Sequence, residues 1–397
     1  MKVEQIYSIV NTLTQEALGE SVVVQEDLSN IVDVGDALSN LTPSAYENYV
    51  RSLVDHIGRV VFVNRPYAGS APSVLMDAWE YGSILEKITA AMPDATENQS
   101  WELQDGYVYE QNRFTRPQAS AKFFNSLTTF EIPMSFADKQ VHSAFDSASQ
   151  VNAFFSMLDT QIYNSMTVKT DELVMRTINN MIGMTFYDEK SDGTYTGWSG
   201  VKCVNLLYLY NQQYPDNPIY SLDAAMADAR FIRFASYTMS KYEYRLHKLS
   251  TLFNIGEQPR FTPSDRLHFV MLNDFAKAAN VYNQSDTFHE QFTALPNAEL
   301  VPYWQGTGTS YSLDDITEID IKANIGTGTA QAVNAQGIIG VMFDRDALGV
   351  CNQNARVTTH YNARAEFYNN WYKRDAMYFN DGNENFVVFY ADDVSGD

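Results

Sequence analysis

The chain has 397 residues, of which 45 % are hydrophobic and 19 % are charged. This composition excludes a mostly disordered chain, a collagen and a coiled-coil rod, and no apolar run approaches the ~18 residues needed to cross a bilayer. The 49 acidic and 27 basic residues give a net charge of −22, which disfavours tight nucleic-acid binding and attachment to anionic membranes.

The first 60 residues are predicted to form an acidic arm that cannot build a core of its own. Their short apolar clusters are separated by polar stretches. Thr42 and Pro43 are typical of a helix start and predict a helix over Ser44–Val54. Because Glu4 interrupts the opening residues MKVEQIYSIV, we expect no secretory signal. The two cysteines, Cys203 and Cys351, suit a reducing compartment.

A helix and then a strand are predicted after the arm. Apolar residues at helical spacing predict a helix over residues 73–91, which Pro93 would end. Beyond Ser100 the apolar residues occupy alternate positions, which favours a strand. These residues are Trp101, Leu103, Tyr107 and Tyr109. The pair Asp105–Gly106 predicts a bulge or a kink within that strand.

A second extended run covers Phe123–Ile132 and is predicted to stop at Pro133. Residues 100–133 would then form a long two-stranded excursion. Because an isolated ribbon of this kind is marginally stable in water, we expect it to rest on another surface.

The longest helical pattern covers Ala148–Ile182. Its apolar residues recur every three or four positions, with a polar gap near Thr170, where we expect the helix to bend or break. Further helices are predicted over Ser221–Leu252, with Ser221 as a capping residue, and over Asp265–Tyr282.

The C-terminal part is predicted to be mainly extended. Residues 337–343 (GIIGVMF) form a run typical of a buried strand. Two strands are predicted within Arg356–Tyr390, followed by a hairpin turn at residues 380–383 and a last strand at residues 386–389.

Motifs that carry chemistry are absent from the sequence. The segments Gly306–Gly308 and Gly326–Gly328 lack the lysine of a phosphate-binding loop, and Gly197–Gly200 lacks the spacing of a serine nucleophile elbow. The six histidines have no zinc-binding spacing, and no Cys-x-x-Cys occurs. We therefore predict no catalytic residue, no cofactor and no metal site. A pair of carboxylates for glycoside hydrolysis is left as an alternative, because the 49 acidic residues allow many pairs and the sequence does not give the distances between them.

Three C-terminal segments resemble the major capsid proteins of tailed bacteriophages of the Hong Kong 97 type. They are LPNAELVPYWQGTG (295–308), GIIGVMFDRDALGV (337–350) and RVTTHYNARAEFYNNWYKRDAMYFNDGNENFVVFY (356–390). The segment WEYGSILEKI (79–88) is similar to the region just before the extended loop of that family. The predicted order of elements also matches along nearly the whole chain.

The resemblance implies an α+β subunit with an N-terminal arm, an extended β-loop, a long spine helix, and peripheral and axial domains. Its parts would divide the chain as follows: the arm and leading helices over 1–92, the extended loop over 93–135, the spine helix and first peripheral part over 136–199, the axial domain over 200–345, and the closing peripheral strands over 346–397.

The same resemblance implies a self-assembling major capsid protein. Copies would form the hexamers and pentamers of an icosahedral shell around double-stranded DNA, which they would contact only weakly and without sequence specificity. Portal proteins, and scaffolding or decoration proteins, are further expected partners; no membrane is expected. The protein would be a virion component assembled in the cytoplasm of the bacterial host.

We assign the contacts between subunits to the predicted two-stranded excursion of residues 100–133. Trp101, Tyr107, Arg113 and Arg116 are the candidate contact residues because they lie on it. In some shells of this type, neighbouring subunits are cross-linked by a covalent bond between a lysine and an asparagine. The candidates in this chain would be Lys122 for the lysine and Asn352 or Asn354 for the asparagine, with Glu366 as a nearby acid. The alternative for Lys122 is a solvated charge that protects a strand edge.

Two other functions remain open from the sequence. A phage tail or other virion surface protein could use exposed aromatic residues to bind a cell-surface ligand, although the chain lacks the repeated short-strand pattern often found there. The third possibility is a carboxylate-based hydrolase, for which no motif was found.

Overall fold

The computed structural model describes residues 71–76, 84–93, 95–109, 112, 114–137, 148–284, 298–305, 316–323 and 329–392. The predicted arm and the predicted helix Ser44–Val54 lie outside these residues. The described elements confirm the α+β class, and their order, with a ribbon before a long helix, a central sheet and closing strands, follows the predicted architecture.

The helices are α1 (Ala148–Glu189), α2 (Leu206–Gln213), α3 (Leu222–Met226), α4 (Ala229–Leu246) and α5 (Asn273–Gln284). The first seven strands are β1 (Leu75–Met76), β2 (Leu85–Ala90), β3 (Ala119–Phe124), β4 (Leu127–Ala137), β5 (Cys203–Asn205), β6 (Leu267–Leu272) and β7 (Glu299–Val301). The remaining strands are β8 (Ile319–Ala323), β9 (Gln331–Ala335), β10 (Ile338–Asp344), β11 (Leu348–Asn362), β12 (Phe367–Asn380) and β13 (Phe386–Tyr390).

A central five-stranded sheet holds the main core. Its order is β5-β13-β10-β6-β7, with β10 antiparallel to both of its neighbours. Every residue of β10 and of β13 is buried, as expected for strands covered on both faces. The buried strand predicted from GIIGVMF is therefore confirmed. Helices α2 and α5 pack close to this sheet, and both lie next to α4, whose Tyr242 ring contacts Phe389 of β13.

A second sheet, of order β1-β11-β12-β4, lies outside the central one. Its long strands β11 and β12 are antiparallel, and β12 pairs with β4 over eleven residues from Phe367↔Ala137 to Met377↔Leu127. Strand β4 thus continues through Pro133, where the sequence predicted an end. Proline is tolerated there because β4 is an edge strand, whose outer N–H groups need no partner in the sheet.

Helix α1 joins the two sheets. It is continuous over 42 residues, so the long helix is confirmed and a break near Thr170 is wrong. The Thr170 hydroxyl donates to the Met166 carbonyl oxygen (2.9 Å), which satisfies this buried polar side chain inside the helix. Its buried residues Val174, Ile178 and Ile182 contribute to the core.

Two helix predictions are wrong in part because sheet pairing overrides local helical spacing. Within residues 73–91, the described parts include β1 and β2, and β2 alternates between half-buried and exposed residues. Within Asp265–Tyr282, the first part is strand β6, whose last four residues are buried in the central sheet, and only the second part is helix α5.

The helix predicted over Ser221–Leu252 is divided into α3 and α4. Ser221 caps α3 as predicted, since its hydroxyl accepts from the Ala224 N–H (3.2 Å). Asp228 then caps α4 by accepting from the N–H groups of Arg230 and Phe231. The short break before α4 was not predicted.

The predicted C-terminal hairpin is also wrong. A turn follows β12, but β12 belongs to the outer sheet and β13 pairs with β10 and β5 in the central sheet. Residues 381–384 therefore carry the chain from one sheet to the other, and we call them the crossover turn. The Asp381 N–H donates to the Ala347 carbonyl oxygen (2.6 Å), which fixes the start of this turn.

Candidate functional site

Ten of the 22 exposed large apolar side chains of the described residues lie on a two-stranded ribbon. Strands β2 and β3 pair antiparallel, from Leu85↔Phe124 to Ala90↔Ala119, and residues 91–118 connect them. We call residues 84–124 the ribbon. Its exposed large apolar side chains are Ile84, Ile88, Met92, Trp101, Leu103, Tyr107, Val108, Tyr109, Phe114 and Phe123. A concentration of this kind is typical of surfaces that bind a partner.

The candidate contact residues lie in the connecting segment of the ribbon, not on a strand. Trp101 ends a short 3-10 helix and is 96 % exposed, and Tyr107 and Arg116 are exposed as well. Arg113 lies outside the described residues. The strand predicted over residues 101–109 is wrong, because a turn at Asp105–Gly106 interrupts it, with Gly106 at φ 81°.

Aromatic contacts order part of this connecting segment. The rings of Tyr107 and Tyr109 meet edge to face with their centroids 4.9 Å apart. The Tyr109 hydroxyl accepts from the N–H of Gln104 (2.9 Å). These local contacts hold Tyr107 in place while leaving 60 % of it exposed, so its ring is presented to the surroundings.

At the base of the ribbon two lysines lie directly opposite each other. Lys87 on β2 and Lys122 on β3 are register partners, and like charges at such positions destabilise a sheet. Both ammonium groups bind the same carboxylate of the crossover turn: Lys87 Nζ lies 2.8 Å from Asp381 Oδ2, and Lys122 Nζ lies 2.9 Å from Asp381 Oδ1. The shared carboxylate offsets the repulsion between the two lysines, so that β2 and β3 can pair at this position.

Glu384 completes this ion cluster. Its Oε1 lies 2.7 Å from Lys87 Nζ and 3.4 Å from Arg260 Nε. Lys87 also donates to the carbonyl oxygen of Asp346 (3.3 Å). We call Lys87, Lys122, Arg260, Asp381 and Glu384 the anchor cluster. It connects the ribbon to the body through side chains more than 250 positions apart in sequence.

Burial and pairing compete in setting the pKa values of the anchor cluster. Burial alone would raise the pKa of Asp381, whose side chain is only 2 % exposed, but hydrogen bonds from Lys87 and Lys122 lower it below its usual range. Burial would lower the pKa of Lys87, yet its hydrogen bonds to Asp381 and Glu384 raise it. Both shifts favour the ionised pair.

Apolar contact adds to the anchor. The ring of Phe124, at the end of β3, packs against Phe379 of β12 with centroids 5.2 Å apart. The sequence analysis missed this whole anchor. One local feature of the sequence indicates the anchor. Lys87 lies on the inward side of the alternating segment LEKITA, and a partly buried lysine needs an acidic partner from elsewhere in the chain.

The candidate residues for a covalent weld are separated in this subunit. The Lys122 ammonium is engaged by Asp381, Asn352 lies within β11, and Glu366 occupies the turn between β11 and β12 at φ 51°. No hydrogen bond or ion pair between described residues joins Lys122 to Asn352 or to Glu366, so a covalent bond between subunits stays a prediction.

The described residues form neither a metal-binding cluster nor a membrane-spanning helix. Within the described ranges, no group of three or more His, Cys, Asp or Glu side chains is placed to hold a metal ion. The described helices include none that is long and apolar enough to span a bilayer. Cys203 and Cys351 are buried free thiols, and burial raises the pKa of both.

Similar solved structures include several from phages, whereas no curated protein matches the chain. One is the capsid structure of Staphylococcus phage Andhra, with 10 % identity, coverage of 83 % of this chain and 86 % of that chain, and a TM-score of 0.49. A second is the capsid structure of cyanophage P-SCSP1u, with 10 % identity, coverage of 84 % and 94 %, and a TM-score of 0.43.

A third similar structure, of head fiber and inner core protein gp22 of native bacteriophage P68, has 8 % identity, coverage of 83 % and 90 %, and a TM-score of 0.48. A family model described as Phi29-like phage major capsid protein matches residues 10–390. This match confirms the predicted function of a tailed-phage major capsid protein. The chain therefore belongs to the Phi29-like phage major capsid protein family.

Proposed function

We propose that copies of this capsid protein form hexamers and pentamers that close into an icosahedral shell around double-stranded DNA, with the ribbon of each subunit lying over its neighbour. The observation that carries this proposal is the contrast between the two ends of the ribbon. The base is fixed by the anchor cluster, whereas Trp101 and Phe114 in the connecting segment are 96 % and 85 % exposed.

Burying these side chains supplies the driving force for the contact. Each fully buried large apolar side chain contributes about 1.5–3 kcal/mol, and a fixed base lowers the entropy lost on docking. Because each subunit would touch several neighbours, contacts of modest strength add up to a closed shell. Trp101, Tyr107, Arg113 and Arg116 remain the proposed contact residues, Arg113 on the sequence alone.

The shell would bind the packaged nucleic acid only weakly. A net charge of −22 repels phosphate at long range, so binding would be weak, non-specific and sensitive to salt. Assembly would occur in the host cytoplasm, with portal and scaffolding or decoration proteins as further partners. The role is structural, and we propose no catalytic activity.

Two ribbon variants test this proposal. The first replaces residues 105–117 by a short Gly/Ser linker, and the second carries Trp101→Ser and Phe114→Ser. Both should keep the circular-dichroism spectrum of the wild type but lose closed particles in electron microscopy, because the anchor cluster lies outside the changed segment. Tyr220→Ser, which removes a 51 % exposed ring elsewhere, is the control and should assemble normally. Unchanged particle yield in both ribbon variants would contradict the proposal.

A further inference from the structure

One face of helix α4 concentrates positive charge in a strongly acidic protein. The opposite face is buried, with Phe231, Met239 and Leu246 fully enclosed. Five residues along the second half of the helix and just past its end share the outward face by their spacing of three or four positions: Tyr237, Lys241, Tyr244, Arg245 and Lys248. Lys241 is half-buried and the other four are exposed, whereas the half-buried Glu243 lies on the flank of the helix, outside this face. We call these five residues the α4 stripe. It has three cations and no carboxylate.

The positive charges of the α4 stripe are not neutralised within the described subunit. No carboxylate of the described residues forms an ion pair with Lys241, Arg245 or Lys248. Burial and the charge of Arg245 lower the pKa of Lys241. Lys241 and Arg245 are four residues apart, a spacing at which like charges destabilise a helix. The stripe is therefore maintained at a cost to the free subunit.

Helix electrostatics explain only part of this arrangement. Cations in the last turn interact favourably with the helix dipole, which accounts for Arg245 and Lys248. The helix dipole does not explain why two tyrosine rings are exposed on the same face. Tyr237 is 65 % exposed and Tyr244 is 77 % exposed. The Lys241 ammonium lies over the Tyr237 ring, 4.8 Å from its centre, so that an aromatic ring and a positive charge form one mixed surface.

An apolar patch extends the α4 stripe at its C-terminal end. Ser250 and Arg260 form an antiparallel bridge, so their neighbours Leu249 and Phe261 lie next to each other across it. Both are exposed, at 42 % and 54 %. Aromatic, apolar and arginine side chains together are enriched in protein–protein interfaces.

We propose that the α4 stripe is a contact surface for an acidic surface of a second copy of this chain, an inference that rests on the proposed self-assembly. Charge complementarity determines the occupant. With 49 acidic residues against 27 basic ones, copies repel each other on average, and association is favoured where a positive face of one copy meets the negative surface of the next. Nucleic acid would meet the same positive face but also the repulsion of the surrounding acidic surface.

The experiment compares Lys241→Glu/Lys248→Glu with Lys277→Glu/Arg364→Glu, a control that changes the net charge equally at exposed positions away from the stripe. Assembly is followed by sedimentation and electron microscopy, and folding by circular dichroism. We expect the stripe variant to need an about tenfold higher protein concentration than the control to form particles. Two further variants should also raise the protein concentration needed for particle formation. One is Lys241→Ala/Lys248→Ala, which preserves helix propensity, and the other is Tyr237→Ser/Tyr244→Ser.

The outcomes separate the two proposals. If the wild type forms no particles, the proposed self-assembly fails. If the wild type assembles and the stripe variants assemble at the same concentration as the control, the inference about the stripe is overturned while self-assembly stands. Normal particles together with a selective loss of binding to double-stranded DNA would also overturn it, because the stripe would then serve nucleic acid.

Discussion

Lys87 and Lys122 face each other across the two strands of the ribbon, and both bind the carboxylate of Asp381 on the crossover turn. Two like charges at register partners would separate the strands in the absence of this carboxylate. Asp381 is thus the one carboxylate that binds both strands of the ribbon, and it belongs to the turn that leads into β13 of the central sheet.

Removing this acid should release the ribbon. Asp381→Asn leaves Lys87, which is 19 % exposed, beside Lys122 with the buried Glu384 as its one remaining carboxylate partner. We expect a loss of about 2–3 kcal/mol in the free energy of unfolding, which is below the usual value for a fully buried pair because Lys122 is 43 % exposed. Hydrogen exchange should accelerate in β2 and β3 with little change in β10. Asp375→Asn, at the more exposed pair with Arg356, is the matched control and should leave the ribbon protected.

Acid should weaken the same anchor. The pKa of Asp381 is lowered from its ordinary value of 3.8, so its contribution to stability is complete above that value and is lost as the pH falls through the lower pKa of the folded state. Pepsin cleavage in residues 91–118 should therefore rise on acidification, relative to cleavage of the core. The wild type and Asp381→Asn should converge at low pH; a constant difference between them would contradict this account.

Alkali should act on the other partner. The pKa of Lys87 is raised above 10.5, so its stabilising contribution is complete below 10.5 and is lost as the pH rises through the higher folded value. Ribbon protection should therefore persist through mildly alkaline conditions. Hydrogen exchange of β2, corrected for the intrinsic rate, measures this persistence, and early loss of protection below that pH would contradict it.

Glu189, at the end of α1, should be a strong determinant of stability. Its carboxylate accepts from the N–H groups of Val201, Lys202 and Cys203 at 2.8–3.0 Å. Glu189→Ala leaves these donors without an acceptor and should cost about 2–4 kcal/mol in urea unfolding. The control is Glu172→Ala, which removes an exposed pair with Lys169 and should cost no more than about 0.5 kcal/mol. Equal effects would refute the role of Glu189.

The two thiols should be unreactive in the native protein. Cys203 and Cys351 are fully buried, and burial raises the pKa of both thiols, which lowers the thiolate fraction that reacts. Labelling with a maleimide should therefore require unfolding. Rapid labelling of either cysteine in the folded subunit would show that the core opens more readily than the packing indicates.

Local sequence patterns predicted the elements that depend mainly on residues close together in the sequence. The apolar stripe that includes Val174, Ile178 and Ile182 predicted α1, and the continuous apolar run GIIGVMF predicted β10. Ser221 predicted its helix cap because capping acts over three residues. The resemblance to phage capsid proteins supplied the function that these patterns alone could not.

Long-range pairing explains what local patterns missed. Strand β2 is a strand because β3 lies beside it, and β13 joins the central sheet although it directly follows a strand of the outer one. The anchor cluster joins Lys87 to Asp381 and Glu384, nearly 300 residues later. No short window contains both sides of such a contact, so these features emerge only with the fold.

The most direct test of the central claim is cryo-electron microscopy of particles formed by the purified 397-residue chain. The account predicts closed shells in which the aromatic residues of the connecting segment, Trp101 and Phe114 among them, are buried against a neighbouring subunit while Lys87 and Lys122 still bind Asp381 of their own chain. A map in which residues 91–118 fold back onto their own subunit, or remain exposed in a closed shell, would contradict it.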